Sequence, residues 1–375
     1  MRFPPQLLAA PSSPSGVTKS WRPTPIQALC TPLIHRMRLS GLDWDDIRSC
    51  LTALGDAPLL EEQALWHDVW TSRGHVCEAR SMEAAVMRER ATQRRMLLRS
   101  AACHHFAQLP FFDNPEAKFM TRRRVTRLFE CARPLLPHEV QSLRVPHGDF
   151  TLPAYLLLAG TGECTPCVLL VNDLGSAKEV ELHALAEEFL AHGVSVLLFD
   201  GPGQGELSGL RRLPVAFEQV VTSVLDGVSE HPRVDSGRLG ICGLGHGGYL
   251  AARAAALLPE RLRACISISG GYDHAHYARL PELVRAELKY AYCERSADAM
   301  ERLARSELSL REVPRLDAPL LVVQDTEDPT WPRASSLQLL EWARGDRDFL
   351  CTTLEQLASA RLGPWMARAL PAAGA

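Results

Sequence analysis

Two hydropathic textures divide the chain. From about Trp21 to Pro137, apolar residues recur at three- and four-residue spacing. The segments are "WDDIRSCLTAL", "LEEQALWHDVWTSR", "SMEAAVMRERATQRRMLLRSAACHHFAQL" and "NPEAKFMTRRRVTRLFECA", and this spacing lines one face of a helix. Asp113 or Asn114 followed by Pro115 is a helix start. From about Leu143 short apolar runs take over: "FTLPAYLLLAG", "PCVLLVND", "VSVLLFD", "RLGICG", "RACISISG", "APLLVVQD" and a weaker "DFLCTTL". Unbroken apolar strands separated by helical stretches predict a mostly parallel sheet covered by helices on both faces.

The expected organisation is a disordered leader over 1–20, an N-terminal helical cap domain over 21–142, and an α/β core over 143–375. A helical lid insertion at about 274–312 follows the sixth strand. An insertion at a strand's C-terminal end sits over the ligand crevice of such a sheet. The arginine-rich stretches Arg88 to Arg99 and Arg122 to Arg127 read as solvated helix faces.

Composition narrows the function classes. The 375 residues are 46% hydrophobic and 23% charged, with a formal net charge of -3. These are globular values without a global field for nucleic acid or a membrane surface. No apolar run reaches the length of a membrane span. Eleven scattered cysteines are unlike a secreted disulfide framework. The one tight pair, Cys164 and Cys167, leads into an apolar strand and reads as structural. The expected location is cytoplasmic, with no cofactor and no metal. The expected partner is a small-molecule substrate or ligand, and a homodimer is left open.

One stretch, "ICGLGHGGYLAARAA", carries the chemistry. Gly243, Gly245 and Gly248 spell a dinucleotide-binding turn. That turn belongs on the first strand of its domain, with an acidic residue about twenty positions on. Here at least three strands precede it, and the following strand "RACISISG" has no acid. The alternative is the nucleophile elbow G-x-S-x-G of a hydrolase, with Gly245 in place of serine. Cys242 lies inside the strand and reads as a core thiol.

With "LGSAKE", "FDGPGQGE", "GLGHGGYLAARAA", "LWHDVW" and "RSAACHHFAQLPFFDNPEAK" in view, the chain resembles the FrsA-like branch of the α/β-hydrolases, which includes C–C bond hydrolases. The resemblance runs from about Leu60 to Trp331. It implies the α/β-hydrolase fold, a polyketide-like or aromatic substrate, and a Ser-His-acid triad with Asp328 as the acid. It also implies glycines where this chain has Asn172 and Asp173.

Two triad parts are absent. Gly245 stands at the nucleophile position, and all 13 histidines lie at or before His276, so none follows the acid. Loss of the nucleophile or base typically costs about a millionfold in turnover, and Asp173 would oppose an oxyanion. Serine-type hydrolysis is therefore not expected. The residues left for acid/base chemistry are Asp173, His246, His274, His276 and Asp328, while His104 or His105 is a weaker candidate from the cap. All but Asp173 have a structural alternative: His246 packed under the cap, His274 and His276 as loop histidines, Asp328 as a turn cap, and His104 and His105 as core or surface residues. The readings are a cyclase, dehydratase, lyase or isomerase, a catalytically inactive binding or scaffold protein, or a hydrolase working without serine.

Overall fold

A computed structural model of the chain describes residues 33–55, 62–162, 164–326, 328, 330–353, 356 and 361–372. The expected leader lies outside them. Eight strands form one sheet: β1 (Glu139–His147), β2 (Phe150–Leu158), β3 (Thr165–Val171), β4 (Ser195–Phe199), β5 (Val234–Leu244), β6 (Ala264–Ile268), β7 (Leu320–Asp325) and β8 (Arg347–Thr352). Their spatial order is β1-β2-β4-β3-β5-β6-β7-β8. The pairs β1/β2 and β2/β4 are antiparallel and the rest are parallel. The first strand begins at Glu139, ahead of the expected change at 143. Its edge position exposes alternate residues, so it lacks the apolar run that marks the inner strands.

Alternation along the inner strands builds two apolar layers. Leu169 and Val171 of β3 face one layer, while Val168 and Leu170 face the other. Each such fully buried side chain contributes about 1.5–3 kcal/mol relative to exposure.

The cap is built from α1 (Trp44–Leu54), α2 (Gln63–Val86), α3 (Arg90–Gln108) and α4 (Pro115–Ala132). Asn114 caps α4, its side chain accepting from Ala117 N at 3.0 Å. The expected single helix from Ser81 to Leu109 is corrected. The helix before it runs on to Val86, the chain turns through Arg88 at φ 60°, and α3 starts at Arg90. The cap core holds Trp66, Trp70 and Phe106, joined by Val180 and by Leu283 of the lid.

The reading of the arginines as solvated faces is also corrected for two of them. Arg122 is buried and pairs with Glu179 at 2.6 Å. Arg99 pairs with Asp43 and the buried Asp46. Helix periodicity places an arginine on a face but not the carboxylate of another element that neutralises it there. The core and lid helices are α5 (His183–Leu190), α6 (Glu218–Ser229), α7 (His246–Leu257), α8 (Glu282–Ala291), α9 (Ala297–Ser306), α10 (Arg333–Trp342) and α11 (Leu362–Ala369). The lid, with α8 and α9, lies between β6 and β7 as expected. No described helix is long and apolar enough to cross a membrane.

Candidate functional site

Sheet register brings the sequence candidates together. β3 and β5 are parallel neighbours with Val171 opposite Gly243, so the Asn172-Asp173 loop and the Gly245 turn leave the sheet side by side. β6 and β7 follow, ending beside them at Ile268 and Asp325. The chain ends thus converge beneath the lid, at the carboxyl edge where open α/β sheets bind ligands.

The turn between β5 and α7 has elbow geometry. Gly245 has φ 56° and ψ -124°, a left-handed conformation that glycine adopts with little strain. Gly247 must also be small, because a Cβ there would lie 2.5 Å from Asn172 O. A Cβ on Gly245 would overlap the carboxylate of Asp173. The same carboxylate accepts from the backbone N–H of His246 at 2.7 Å and from that of Leu174. Asp173 therefore fills the space that a side chain at position 245 would take and occupies the amides of His246 and Leu174. Burial pushes its pKa up, against the pull of Arg36 and of the two amides.

These groups surround one cavity of about 170 Å³. Asp173, Gly245, His246, His274, His276 and Asp328 all line it. So do Arg36 from the cap, Glu287 from α8 and Asp325 from the end of β7, which sequence reasoning missed. Glu287 had a readable signal: it falls on the face of α8 that carries Leu283 and Leu288, where an unpaired acid is out of place. Arg36 had a similar one, lying with Leu33 and Met37 on a buried face.

Three carboxyls there are shifted upwards. Burial carries Glu287 to about 8, with Asp173 adding to the rise and Arg36 opposing it. Its Oε1 is buried without a hydrogen-bond partner. Burial carries Asp328 to about 7, although Asp328 Oδ1 accepts from Thr330 N at 2.7 Å and Trp331 N at 3.2 Å.

Two histidines are saturated. His274 Nδ1 donates to Leu308 O at 3.3 Å, which leaves its Nε2 as an acceptor. His246 Nδ1 then donates to it at 2.9 Å, and His246 Nε2 accepts from the Tyr292 hydroxyl at 2.9 Å. Both rings are neutral in this arrangement, in accord with burial lowering both pKa values, His274 to about 3. His276 differs: its Nε2 donates to Thr330 O at 2.8 Å, which leaves Nδ1 as the acceptor nitrogen.

His104 and His105 are buried in the cap and do not line the cavity. His105 belongs to a charge network behind the site. Its Nδ1 accepts from Arg122 at 3.2 Å and its Nε2 donates to Glu181 at 2.9 Å. Glu181 also takes Arg36 at 2.7 Å. Lys178 Nζ sits among Glu179, Asp200 and Glu206 at 2.6, 2.9 and 2.5 Å. Those three carboxylates have metal-ligand spacing, but the ammonium occupies the cation position. Cys167 is buried, Cys164 is exposed, and both are free thiols.

The model of the family described as "Esterase FrsA-like" matches residues 56–284. The 2,6-dihydropseudooxynicotine hydrolase of Paenarthrobacter nicotinovorans is 26% identical over 255 residues, covering 68% of this chain and 66% of that protein. The hydrolase pyiE of Pyricularia grisea is 29% identical over 256 residues, covering 61% and 54%. The chain thus spans between about half and two thirds of the length of these relatives. A crystal structure of 2,6-dihydroxy-pseudo-oxynicotine hydrolase superposes with a TM-score of 0.79 at 23% identity, covering 90% of this chain and 96% of that one. AbyA5 superposes with a TM-score of 0.70 at 20% identity, covering 92% and 99%. On the extent of the family match and the shared architecture, the chain belongs to the FrsA-like esterase family and has the α/β-hydrolase fold.

Proposed function

We propose that this protein is an acid/base enzyme of the lyase, cyclase or isomerase type, acting on a small polyketide-like or aromatic metabolite. The observation that carries this reading is the position of Asp173, whose carboxylate stands where a nucleophile and an oxyanion would have to be. Acyl transfer through a tetrahedral intermediate is thereby opposed at both points. Proton transfer is not. A carboxyl near pH 7 is matched to general acid/base work, and Asp328 at about 7 takes a proton from a carbon beside a carbonyl. Glu287 at about 8 is protonated at neutral pH and returns a proton to the leaving oxygen or to the isomerised carbon. His276 Nδ1, from the loop after β6, is a second base, while His246 and His274 hold the cavity wall. Leu33, Leu174, Leu244, Leu283 and Val284 give the substrate an apolar enclosure.

Two further readings have support. The saturation of His246 and His274 favours a binding protein without turnover. The names of the relatives favour hydrolysis, with water activated by Asp328 or His276. One experiment separates the three: purified protein is incubated with a metabolite extract and the products are weighed by mass spectrometry. The proposal expects a product of equal mass or one lighter by water. Asp328→Asn or Glu287→Gln should lower its formation by about 10²- to 10⁴-fold. A gain of water establishes hydrolysis, and a ligand recovered unchanged establishes the binding protein.

A further inference from the structure

His104 on α3 is fully buried, and neither of its ring nitrogens has a hydrogen-bond partner. Leaving such a group unsatisfied costs about 1–3 kcal/mol. The facing helix makes room for it at a second cost. Gly74 lies in the interior of α2, where glycine is about 1 kcal/mol worse than alanine. A Cβ at that position would be 2.6 Å from His104 Nε2. The sequence thus accepts two local penalties to keep an imidazole in this place.

Two potential ligands flank that ring. His75 and Glu78 are three residues apart on α2, hence on one face, and the His75 ring meets the His104 ring edge-on at 5.2 Å. One ligand atom from each of His75, Glu78 and His104 lies within 4.8 Å of the others. We propose that His75, Glu78 and His104 bind one divalent transition-metal ion of the zinc type, which clips α2 to α3 in the cap.

Two imidazoles and a carboxylate are a donor set that zinc accepts, with a further position left for water. The cluster is reachable from solvent, since His75 is exposed. Arg124 opposes a cation there and donates to Glu78 Oε2. That bond leaves Glu78 Oε1, and the Arg124 side chain is 44% exposed, so it has space to withdraw. None of the three ligands lines the cavity of the candidate site, so the ion is structural and does not enter the reaction.

The test uses the full chain, stripped with EDTA, dialysed, and titrated calorimetrically with zinc chloride at neutral pH. One equivalent should bind, and cobalt(II) should give the visible bands of a low-coordinate site. His75→Ala removes an exposed ligand and leaves the buried ring in place. It should weaken binding by about tenfold or more while the metal-free melting temperature stays unchanged. Glu78→Gln should weaken it in the same direction. Absence of stoichiometric binding by the parent protein, or equal affinity in His75→Ala, overturns the proposal.

Discussion

A serine introduced alone at position 245 would place its Cβ inside the carboxylate of Asp173. Gly245→Ser should therefore lose about 1–3 kcal/mol, the usual cost of overpacking, and should not react with a fluorophosphonate probe. Asp173→Gly in the same chain should restore most of that stability, because the two positions compete for one space. A double-mutant cycle by urea unfolding measures this coupling, and additive losses would refute the overlap. Probe labelling should stay absent in the double variant, since no histidine follows Asp328 in the sequence. Gly245 and the lack of any histidine after His276 were legible in the sequence. The sequence did not reveal that Asp173 reaches the space at Gly245, because that depends on β3 and β5 being neighbours in register.

Elements set which candidates are mobile proton carriers and which are struts. Tyr292, at the end of α8, donates to His246 on α7, and His246 donates to His274 in the lid. This chain of bonds fastens the lid to the elbow and ends on a backbone carbonyl, Leu308 O. Tyr292→Phe strands the Nε2 acceptor of His246 and should cost about 1–3 kcal/mol, read as a lower melting temperature. Turnover per folded molecule should change little; a collapse of turnover would mean that the chain shuttles protons. Loop position after a strand marked His274 and His276 equally in the sequence. Their different hydrogen bonds come from which element each ring faces, the lid for His274 and the β7 loop for His276. Glu287 had a signal within its own helix, an acid on an apolar face. Arg122 had none, since its carboxylate partner lies 57 residues away.

On the scale of the whole molecule, buried ionisable groups set the response to pH. His183 and His274 are lowered from 6.5 to about 4 and 3. The unfolded chain binds the extra protons, so stability rises with pH up to about 6.5 and is lost as pH falls. Glu179, at about 2 between Lys178 and Arg122, loses its contribution only below 4.5. Glu287 and Asp328 act in the other sense. The folded protein keeps protons that the unfolded chain has released above 4.5 and 3.8, so stability falls as pH rises towards about 8 and 7. Melting temperature should peak at about pH 5.5, where the histidine gains and the carboxyl losses balance, and fall through pH 6.5, where the histidine gains end and the carboxyl losses continue. Glu287→Gln should flatten the alkaline limb, and an unchanged slope from pH 6.5 to 8 would refute the raised pKa.

The sequence by itself determined the layered α/β architecture, the helical cap and lid, the glycine turn at position 245 and the lack of any histidine after His276. These follow from local periodicity, glycine spacing and residue identity, which act over a few neighbouring positions. Tertiary structure alone decided that Asp173 occupies the elbow, that Arg36 and Glu287 complete the cavity, and that buried arginines pair with Glu179 and Glu181. Those outcomes depend on Coulombic and steric contacts between residues up to 145 positions apart. Such contacts exist only after the sheet has fixed which chain ends meet, so a local pattern can mark an out-of-place charge such as Glu287 but not the group it meets.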